Sequence, residues 1–372
     1  MGLTLTVTLI TCIDPLGVQP SDFEDLLVVQ GFITDDFGPH EIRITRIARF
    51  SGVAGEGEIK IEEADVRIID DLGELVELKR MRGQRKTLSV STIFCSPAGL
   101  SFSEFMTDYR TPEDFKGNVG RTYTLEVVTT DGQVYRSEPQ LMGHTPVIDS
   151  LHLGFKVLPG LDPIVPGSSV EVFTTWTDPE EEENFYFWRI NGIYRIFTPD
   201  TTIPGVICCA YEPRDGLAED CWIVERNLIG NRLVFSDERV NGQTITLPIG
   251  QIEDDGLRFA NTAVPPSKQY HVEVEQYMIP EEAFEFNQRI QTLSEINGEI
   301  FDPPPLSIRG NIFNVDDPEE LVVGYFGAYQ KQTRGIFLDK SLLEFTQRFP
   351  DPCGDCRLRT GAQLETPEPY RQ

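Results

Sequence analysis

Apolar and polar residues alternate along much of the chain, which is the pattern of β-strands that bury one face. Residues 26–34, LLVVQGFIT, predict a buried strand, and the sequence DDFGP that follows predicts the turn that ends it. Residues 41–47 then alternate strictly between polar and apolar side chains. These patterns predict a sheet in the first part of the chain.

Two hairpins are predicted further along the first half. Each has two alternating runs around a turn sequence, which is DDLG at 70–73 and DG at 131–132. Together the runs predict an N-terminal β-sandwich over residues 26–145, of the Ig-like or transthyretin-like kind, at a length usual for that architecture.

A larger β-rich C-terminal domain is predicted over residues 146–358. The runs FYFWRI and IYRIF are separated by Asn191 and Gly192, the dipeptide most typical of a two-residue hairpin turn. We therefore predict a hairpin there. The fold class is mainly β.

One prominent helix is predicted near residues 281–297. Two glutamates follow Pro280, where acidic groups face the positive end of a helix dipole, and apolar residues then recur at helical spacing. We interpret the helix as packed on a sheet rather than as part of a cofactor site. Residues 359–372 predict a tail that is loosely ordered or that extends a sheet edge.

The first eleven residues are largely apolar and precede Cys12, as in the processing signal of a bacterial lipoprotein. This interpretation makes residues 1–11 a signal segment, Cys12 the acylated first residue of the mature chain, and residues 12–25 a tether. The segment is short and lacks a basic start. Its alternation also suits a strand with Cys12 in a core, which stays the alternative.

Charge limits the partners. The 372 residues include 60 acidic and 32 basic side chains, for a net charge of −28. Such a chain repels nucleic acid, so no nucleic-acid partner is expected. The charge fits an exported protein that handles neutral ligands, cationic ligands or divalent ions.

Seven cysteines are present, and six remain once Cys12 is set aside. An even number favours disulfides formed in an oxidising compartment, and six cysteines allow 15 pairings. We expect Cys95 to stay free. The disulfide candidates are Cys208, Cys209, Cys221, Cys353 and Cys356. Metal binding or redox chemistry at the CGDC sequence of residues 353–356 is the less favoured alternative.

Catalytic signatures are scarce. The four histidines occupy no two-histidine zinc motif, and no G-x-S-x-G sequence occurs. We predict no catalytic residue, no cofactor and no metal site. The acidic segments 178–183 and 316–320 have oxygen ligands for calcium, but solvated loops are favoured. The aromatic residues of 176–194 suit a core or a platform for a sugar.

Six stretches resemble, in order, a lipoprotein family of the Bacteroidota known as domain of unknown function 4249. Among them are LLVVQGFITDDFGPHEIRITR from residue 26, ADVRIIDDLGELVEL from residue 64 and GRTYTLEVVTTDGQVYRSEP from residue 120. The others are PVIDSL from residue 146, NIFNVDDPEELVVGYFGAY from residue 311 and CGDCR from residue 353. Cys12 followed closely by Asp14 and Pro15 also resembles the family, whereas the missing basic start departs from it.

The resemblance implies an outer-membrane lipoprotein, held by its lipid and facing the cell exterior, that partners a TonB-dependent receptor. We expect it to be an accessory or ligand-capture subunit of the uptake complex and not an enzyme. Two alternatives remain. A secreted hydrolase of glycans or peptides would need a cleft with a perturbed carboxylate pair or a metal. An adhesin or assembly factor would form a rigid rod without a pocket.

Overall fold

The structure is a computed structural model, and its described residues form two β-sandwiches with a helix between them. The described residues are 26–47, 59–61, 63–81, 87–89, 101–103, 108–162, 165–180, 182–197, 220–226, 233–252, 265–294, 309–342, 356 and 361–371. The mainly β prediction is confirmed.

Twelve strands of the described chain precede residue 145. They are β1 (Leu26–Thr34), β2 (Glu41–Ile47), β3 (Ile59–Ile61), β4 (Ala64–Asp70), β5 (Leu75–Glu77), β6 (Lys79–Met81), β7 (Thr87–Ser89), β8 (Ser101–Ser103), β9 (Asp108–Arg110), β10 (Thr122–Thr129), β11 (Val134–Ser137) and β12 (Gln140–Leu141). The later elements are β13 (Ile148–Asp162), β14 (Val165–Thr177), β15 (Phe185–Phe197), β16 (Asp220–Glu225), β17 (Val234–Ser236), β18 (Thr244–Ile252), β19 (Tyr270–Ile279), α1 (Glu281–Ser294), β20 (Ile312–Asn314), β21 (Val322–Tyr329), β22 (Lys331–Leu338) and β23 (Ala362–Gln363).

The first sandwich packs two sheets on one core. Sheet 1 has the order β21-β1-β2-β9-β6 with β3 beside β2, and sheet 2 has the order β20-β11-β10-β4-β5 with β12 beside β10. Alternate residues point inward, so that Leu27 and Val29 of β1 meet Leu125 and Val127 of β10 in a fully buried cluster. The period-two pattern of the sequence thus decides which face of each strand is buried.

Two strands from late in the chain complete this first sandwich. β21 runs parallel to β1, from the pair Leu27 and Val322 to the pair Thr34 and Tyr329, and β20 pairs with β11. The range 26–145 predicted for the N-terminal sandwich does not include them. Local patterns identify strands but not which distant strands pair, so this return was not predicted.

The second sandwich packs sheet 3 on sheet 4. Sheet 3 has the order β13-β14-β18, and sheet 4 has the order β22-β19-β15-β16-β23 with β17 beside β15. The described chain passes between the sandwiches at Thr145 and at Gln330, which lie side by side. The Thr145 backbone N–H donates to Gln330 Oε1 at 2.9 Å, and its hydroxyl donates to the Gln330 carbonyl at 2.8 Å.

The predicted hairpin at Asn191 and Gly192 is wrong. β15 runs straight through both residues as a single strand. Gly192 pairs with Val272 of β19 on one side and with Glu225 of β16 on the other. The local preference of the dipeptide for a turn is therefore overridden by two partner strands that extend past it.

The core between sheets 3 and 4 is rich in aromatic residues. Trp176 is fully buried, and its ring centroid lies 5.1 Å from that of Tyr186 and 5.2 Å from that of Trp188. Tyr194 is buried in the same cluster. These side chains are core residues and do not form an open platform for a sugar.

The helix fills the junction of the two sandwiches. α1 buries Ala283 and Phe286, and the Phe286 ring lies 5.6 Å from that of Tyr325 on β21. Glu281 and Glu282 occupy its first turn, where the helix dipole favours negative charge. Within the described ranges, no helix is both long and apolar enough to span a membrane.

Candidate functional site

Most of the cysteines singled out in the sequence lie outside the described residues. These are Cys12, Cys95, Cys208, Cys209 and Cys353. The structure joins Cys221 and Cys356 in a disulfide with a Cα–Cα distance of 5.8 Å. This is one of the pairings that the sequence left open. It fastens β16 to the chain just before the C-terminal segment, residues 361–371.

The first acidic segment considered for calcium contains a buried carboxyl pair. Asp178 and Asp237 are neighbouring carboxyls, and both are less than 5 % exposed. Asn184 donates its backbone N–H to Asp237 Oδ1 at 2.9 Å and its side-chain amide to Oδ2 at 3.3 Å. Tyr186 donates its hydroxyl to Asp178, whose other oxygen accepts the Gly242 backbone N–H at 2.9 Å. Burial raises the pKa of Asp178, and the neighbouring Asp237 raises it further. The pair is therefore satisfied by protein donors.

The second acidic segment also has hydrogen bonds to donors and acceptors of the protein. Asn314 accepts the backbone N–H of Asp316 at 2.9 Å and donates its amide to Glu320, which also accepts the Tyr135 hydroxyl at 3.0 Å. Within the described ranges, no three histidine, cysteine or acidic side chains are grouped so that they would hold a metal ion.

Replacing Asp237 with asparagine should reduce the pH dependence of this pair, because it removes the neighbouring carboxyl and leaves only the burial of Asp178 to raise that pKa. A carboxyl whose folded pKa is raised holds its proton more tightly in the native state, so wild-type stability falls as pH rises from the ordinary aspartate pKa near 4 through the raised value. The Asp237→Asn amide can donate to an ionised Asp178. We expect the variant to be more stable than wild type at pH 8, by about 1 kcal/mol, and not at pH 4.

Urea unfolding at both pH values measures this effect. Asp114→Asn, at an exposed aspartate, is the matched control and should follow wild type at both. A loss of stability at pH 8 in Asp237→Asn would show that both carboxylates are required as charges.

A row of polar side chains on the outer face of β19 is the candidate functional site. Tyr270, Val272 and Val274 point into the core between sheets 3 and 4. Because side chains alternate along a strand, His271 and Glu273 share the opposite face with the next two odd-numbered residues, Glu275 and Tyr277. Glu275 is 8 % exposed, which is unusual for a carboxylate unless it is paired.

Glu275 is held by neighbours from three strands. Tyr277 donates its hydroxyl to Glu275 Oε2 at 2.7 Å, and the Asn191 amide of β15 donates to Oε1 at 3.1 Å. Lys331 Nζ of β22 lies 3.8 Å from Oε1 and also pairs with Asp36. The Lys331 backbone N–H donates to Asp35 Oδ1 at 2.8 Å. This network ties sheet 4 to the turn after β1.

Glu273 shares one neighbour with Glu275 but lies in a different environment. The Asn191 amide reaches Glu273 Oε1 at 3.3 Å, so one amide contacts both carboxylates. Burial raises the pKa of Glu273, and the charge of Glu275 raises it further. Glu273 is therefore a carboxyl with a raised pKa beside a second carboxylate, and such perturbed groups are common at functional sites.

A groove of about 540 Å³ opens above this end of the row. It is lined by His271, Glu273, Gly335, Ile336, Phe337, Glu368 and Pro369. One wall is the C-terminal turn Glu368–Tyr370, which the Tyr370 side chain fixes in place. Its hydroxyl donates to the Ile193 carbonyl at 2.9 Å, and its ring centroid lies 4.2 Å from that of Trp222.

His271 lies in the groove as a neutral imidazole. It is 7 % exposed, and burial lowers its pKa to about 4, so it carries no charge at neutral pH. Its Nδ1 has no hydrogen-bond partner among the described residues. Buried polar atoms are usually paired, and among the described residues that line the groove this nitrogen is the one that lacks a partner.

The sequence indicated part of this site. Side chains alternate along the HVEVE sequence of residues 271–275, which puts His271, Glu273 and Glu275 on one face of a strand. Nothing in this pattern indicates that the face is buried. Burial comes from β22, the turn after β1 and the C-terminal turn, which lie far away in sequence. The tail beyond residue 358 extends a sheet edge, because β23 pairs with β16.

The chain matches the model of a known protein family. The family model of a domain of unknown function, DUF4249, matches residues 13–335 of the 372. This stretch contains the two sandwiches up to β22, the carboxylate row and α1. A comparison with curated proteins finds no match.

Proposed function

We propose that this chain, which belongs to the DUF4249 family, is a surface-exposed outer-membrane lipoprotein that captures ligand for a TonB-dependent uptake complex. Cys12 carries the lipid, residues 12–25 form the tether, and the groove above β19 receives the ligand. Transport itself belongs to the receptor.

The observation that carries this proposal is the groove. It combines a carboxyl whose pKa is raised, an unpartnered neutral imidazole and an aromatic side chain in one concavity. Binding sites typically combine an apolar lining with a few such polar groups. Membership of the family supports the receptor as the partner, since that role is what the resemblance implies.

Tethering makes capture effective. A lipid anchor places the protein in the same membrane as the receptor and raises their effective concentration, so a modest direct contact keeps the two assembled. Two or more acyl chains anchor a protein stably, whereas one chain holds it only marginally. We expect a stable interface of roughly 1,200 Å² or more with aromatic residues at its centre.

Affinity purification from native membranes tests the proposal. The protein, expressed in its own host from its native start with a tag after Gln372, is extracted in mild detergent. We expect an outer-membrane receptor to copurify, and the intact mass to show acyl chains on Cys12 and loss of residues 1–11. Cys12→Ser should lose the acyl chains and most of the receptor.

Two outcomes would count against the proposal. Repeated recovery of the lipoprotein without a receptor would remove the uptake role. A water-soluble product that retains Met1 would remove the anchor.

A hydrolase of glycans or peptides is the second candidate, and one observation favours it. Glu273 has a raised pKa and shares the Asn191 amide with Glu275, which is the kind of carboxyl pair that divides acid and base roles. A screen of the purified protein against glycans and peptides tests this. Any turnover that Glu273→Gln abolishes and Glu113→Gln preserves would favour the hydrolase over capture.

A further inference from the structure

We propose that the groove above β19 binds an organic cation, an ammonium or guanidinium group carried on an apolar stem. This inference rests on the proposed function only in taking the groove as a ligand site. It specifies the chemistry of what is captured.

The first argument is charge. Glu273 and the exposed Glu368 both line the groove, and no basic side chain is among its described lining residues. The nearby ammonium group of Lys331 is already paired with Asp36 and Glu275. Arg226 also acts on Glu273, but like Lys331 it is not among the lining residues. Within the groove, the only charged side chains that a cationic ligand would meet among the described lining residues are therefore negative.

The second, independent argument is His271. Its side chain is more than nine-tenths buried, it lines the groove, and its Nδ1 has no partner among the described residues. A neutral imidazole has one nitrogen that accepts a hydrogen bond, and a ligand N–H is the complementary donor. A positively charged imidazole would repel a cationic ligand, so binding of such a ligand requires the neutral form of His271.

Glycine at position 335 makes room for this imidazole. A Cβ added to Gly335 would lie 2.3 Å from His271 Cε1 and 2.4 Å from Nε2, closer than side chains pack. The ring therefore rests against bare backbone at the lining of the groove. A side chain at position 335 would push the imidazole away, whereas glycine lets it stay on the same face of β19 as Glu273.

The third argument is the apolar wall. The Phe337 ring lies 4.8 Å from the imidazole and 5.2 Å from the Tyr370 ring, and Ile336 and Pro369 continue the surface. An aromatic face attracts a cation, and apolar neighbours suit the stem that carries it. Calcium takes six to eight oxygen ligands, which two carboxylates do not provide. The lining thus favours an organic cation over a metal ion.

Calorimetric titration of the purified protein with benzylammonium tests the inference. We expect saturable binding, and no binding of benzyl alcohol, which has the same stem without the charge. Glu273→Gln should weaken binding about tenfold or more, because it removes a charge-assisted hydrogen bond. Phe337→Leu should also weaken it, and Glu113→Gln, at an exposed carboxylate outside the groove, should leave it unchanged.

Two further probes distinguish the sources of the cation. Tighter binding of agmatine supports a free amine, and tighter binding of Nα-acetyl-lysine amide supports a lysine side chain of a peptide. Either result agrees with the inference, whereas tighter binding of calcium than of any amine overturns it.

Equal binding of benzyl alcohol, absence of amine binding, or unchanged affinity in Glu273→Gln would also overturn the inference. If circular dichroism shows that Glu273→Gln is unfolded, the affinity of Phe337→Leu for benzylammonium is the deciding measurement. An affinity equal to that of wild type would overturn the proposed site. Amine binding without a copurified receptor keeps the ligand class and removes the uptake role. A copurified receptor without amine binding keeps the uptake role and removes the proposed ligand class.

Discussion

Replacing both Cys221 and Cys356 with serine should lower the free energy of unfolding by about 4 kcal/mol. The two residues are 135 positions apart, so their disulfide closes a long loop and strongly restricts the unfolded chain. It also anchors the C-terminal turn that forms one wall of the groove. We therefore expect weaker amine binding as well as a lower midpoint of urea unfolding.

Single substitutions provide the control for this prediction. Cys221→Ser and Cys356→Ser should each cost about as much as the double change, because either one removes the whole bond and their effects are not additive. Peptide mapping without reduction should recover the two cysteines in one linked fragment. Additive single effects, or two free thiols at these positions, would show that the bond does not form.

Replacing Gly324 with alanine should destabilise the first sandwich by about 3 kcal/mol or more. Gly324 lies in β21 with φ of +135°, and an added Cβ would fall 1.7 Å from the Val29 carbonyl oxygen of β1. The clash is with backbone, so no side-chain movement relieves it, and the parallel pairing of β1 and β21 must open. Thermal unfolding measures the loss.

Gly73→Ala is the matched control, because it separates backbone strain from the clash. Gly73 also has a positive φ, +83°, but its added Cβ would meet nothing within 4 Å. Gly73→Ala should lower the free energy of unfolding only by the backbone strain of a positive φ, about 1 kcal/mol. Equal losses in the two variants would mean that close approach of β1 and β21 contributes little to stability.

Local signals in the sequence predicted the elements that depend on local physics. The strand β1, the turn at Gly132 and the helix that begins after Pro280 were all identified, since alternation, turn residues and helix-start residues act over a few positions. Asn191 and Gly192 show the limit of this reasoning. The free energy by which these two residues favour a turn is smaller than the free energy gained when β16 and β19 pair with β15 on either side of them.

The site was less predictable than the fold. Alternation puts His271, Glu273 and Glu275 on one face of a strand, yet their burial depends on Lys331, on the turn after β1 and on a C-terminal turn almost 100 positions later. The cysteines show the same limit, because the pairing of Cys221 with Cys356 was one of many that the count allowed. Spacing predicts which side chains share a face but not what covers them.

The return of β21 to the side of β1 has a consequence for the order in which the protein folds. The Lys331 backbone N–H and its acceptor Asp35 are 296 positions apart, so this contact can form only after most of the chain has been synthesised. Until then β1 keeps one edge unpaired, and such edges attract other strands. Contacts between distant positions also slow folding. A newly made chain therefore needs protection from aggregation until its last third arrives.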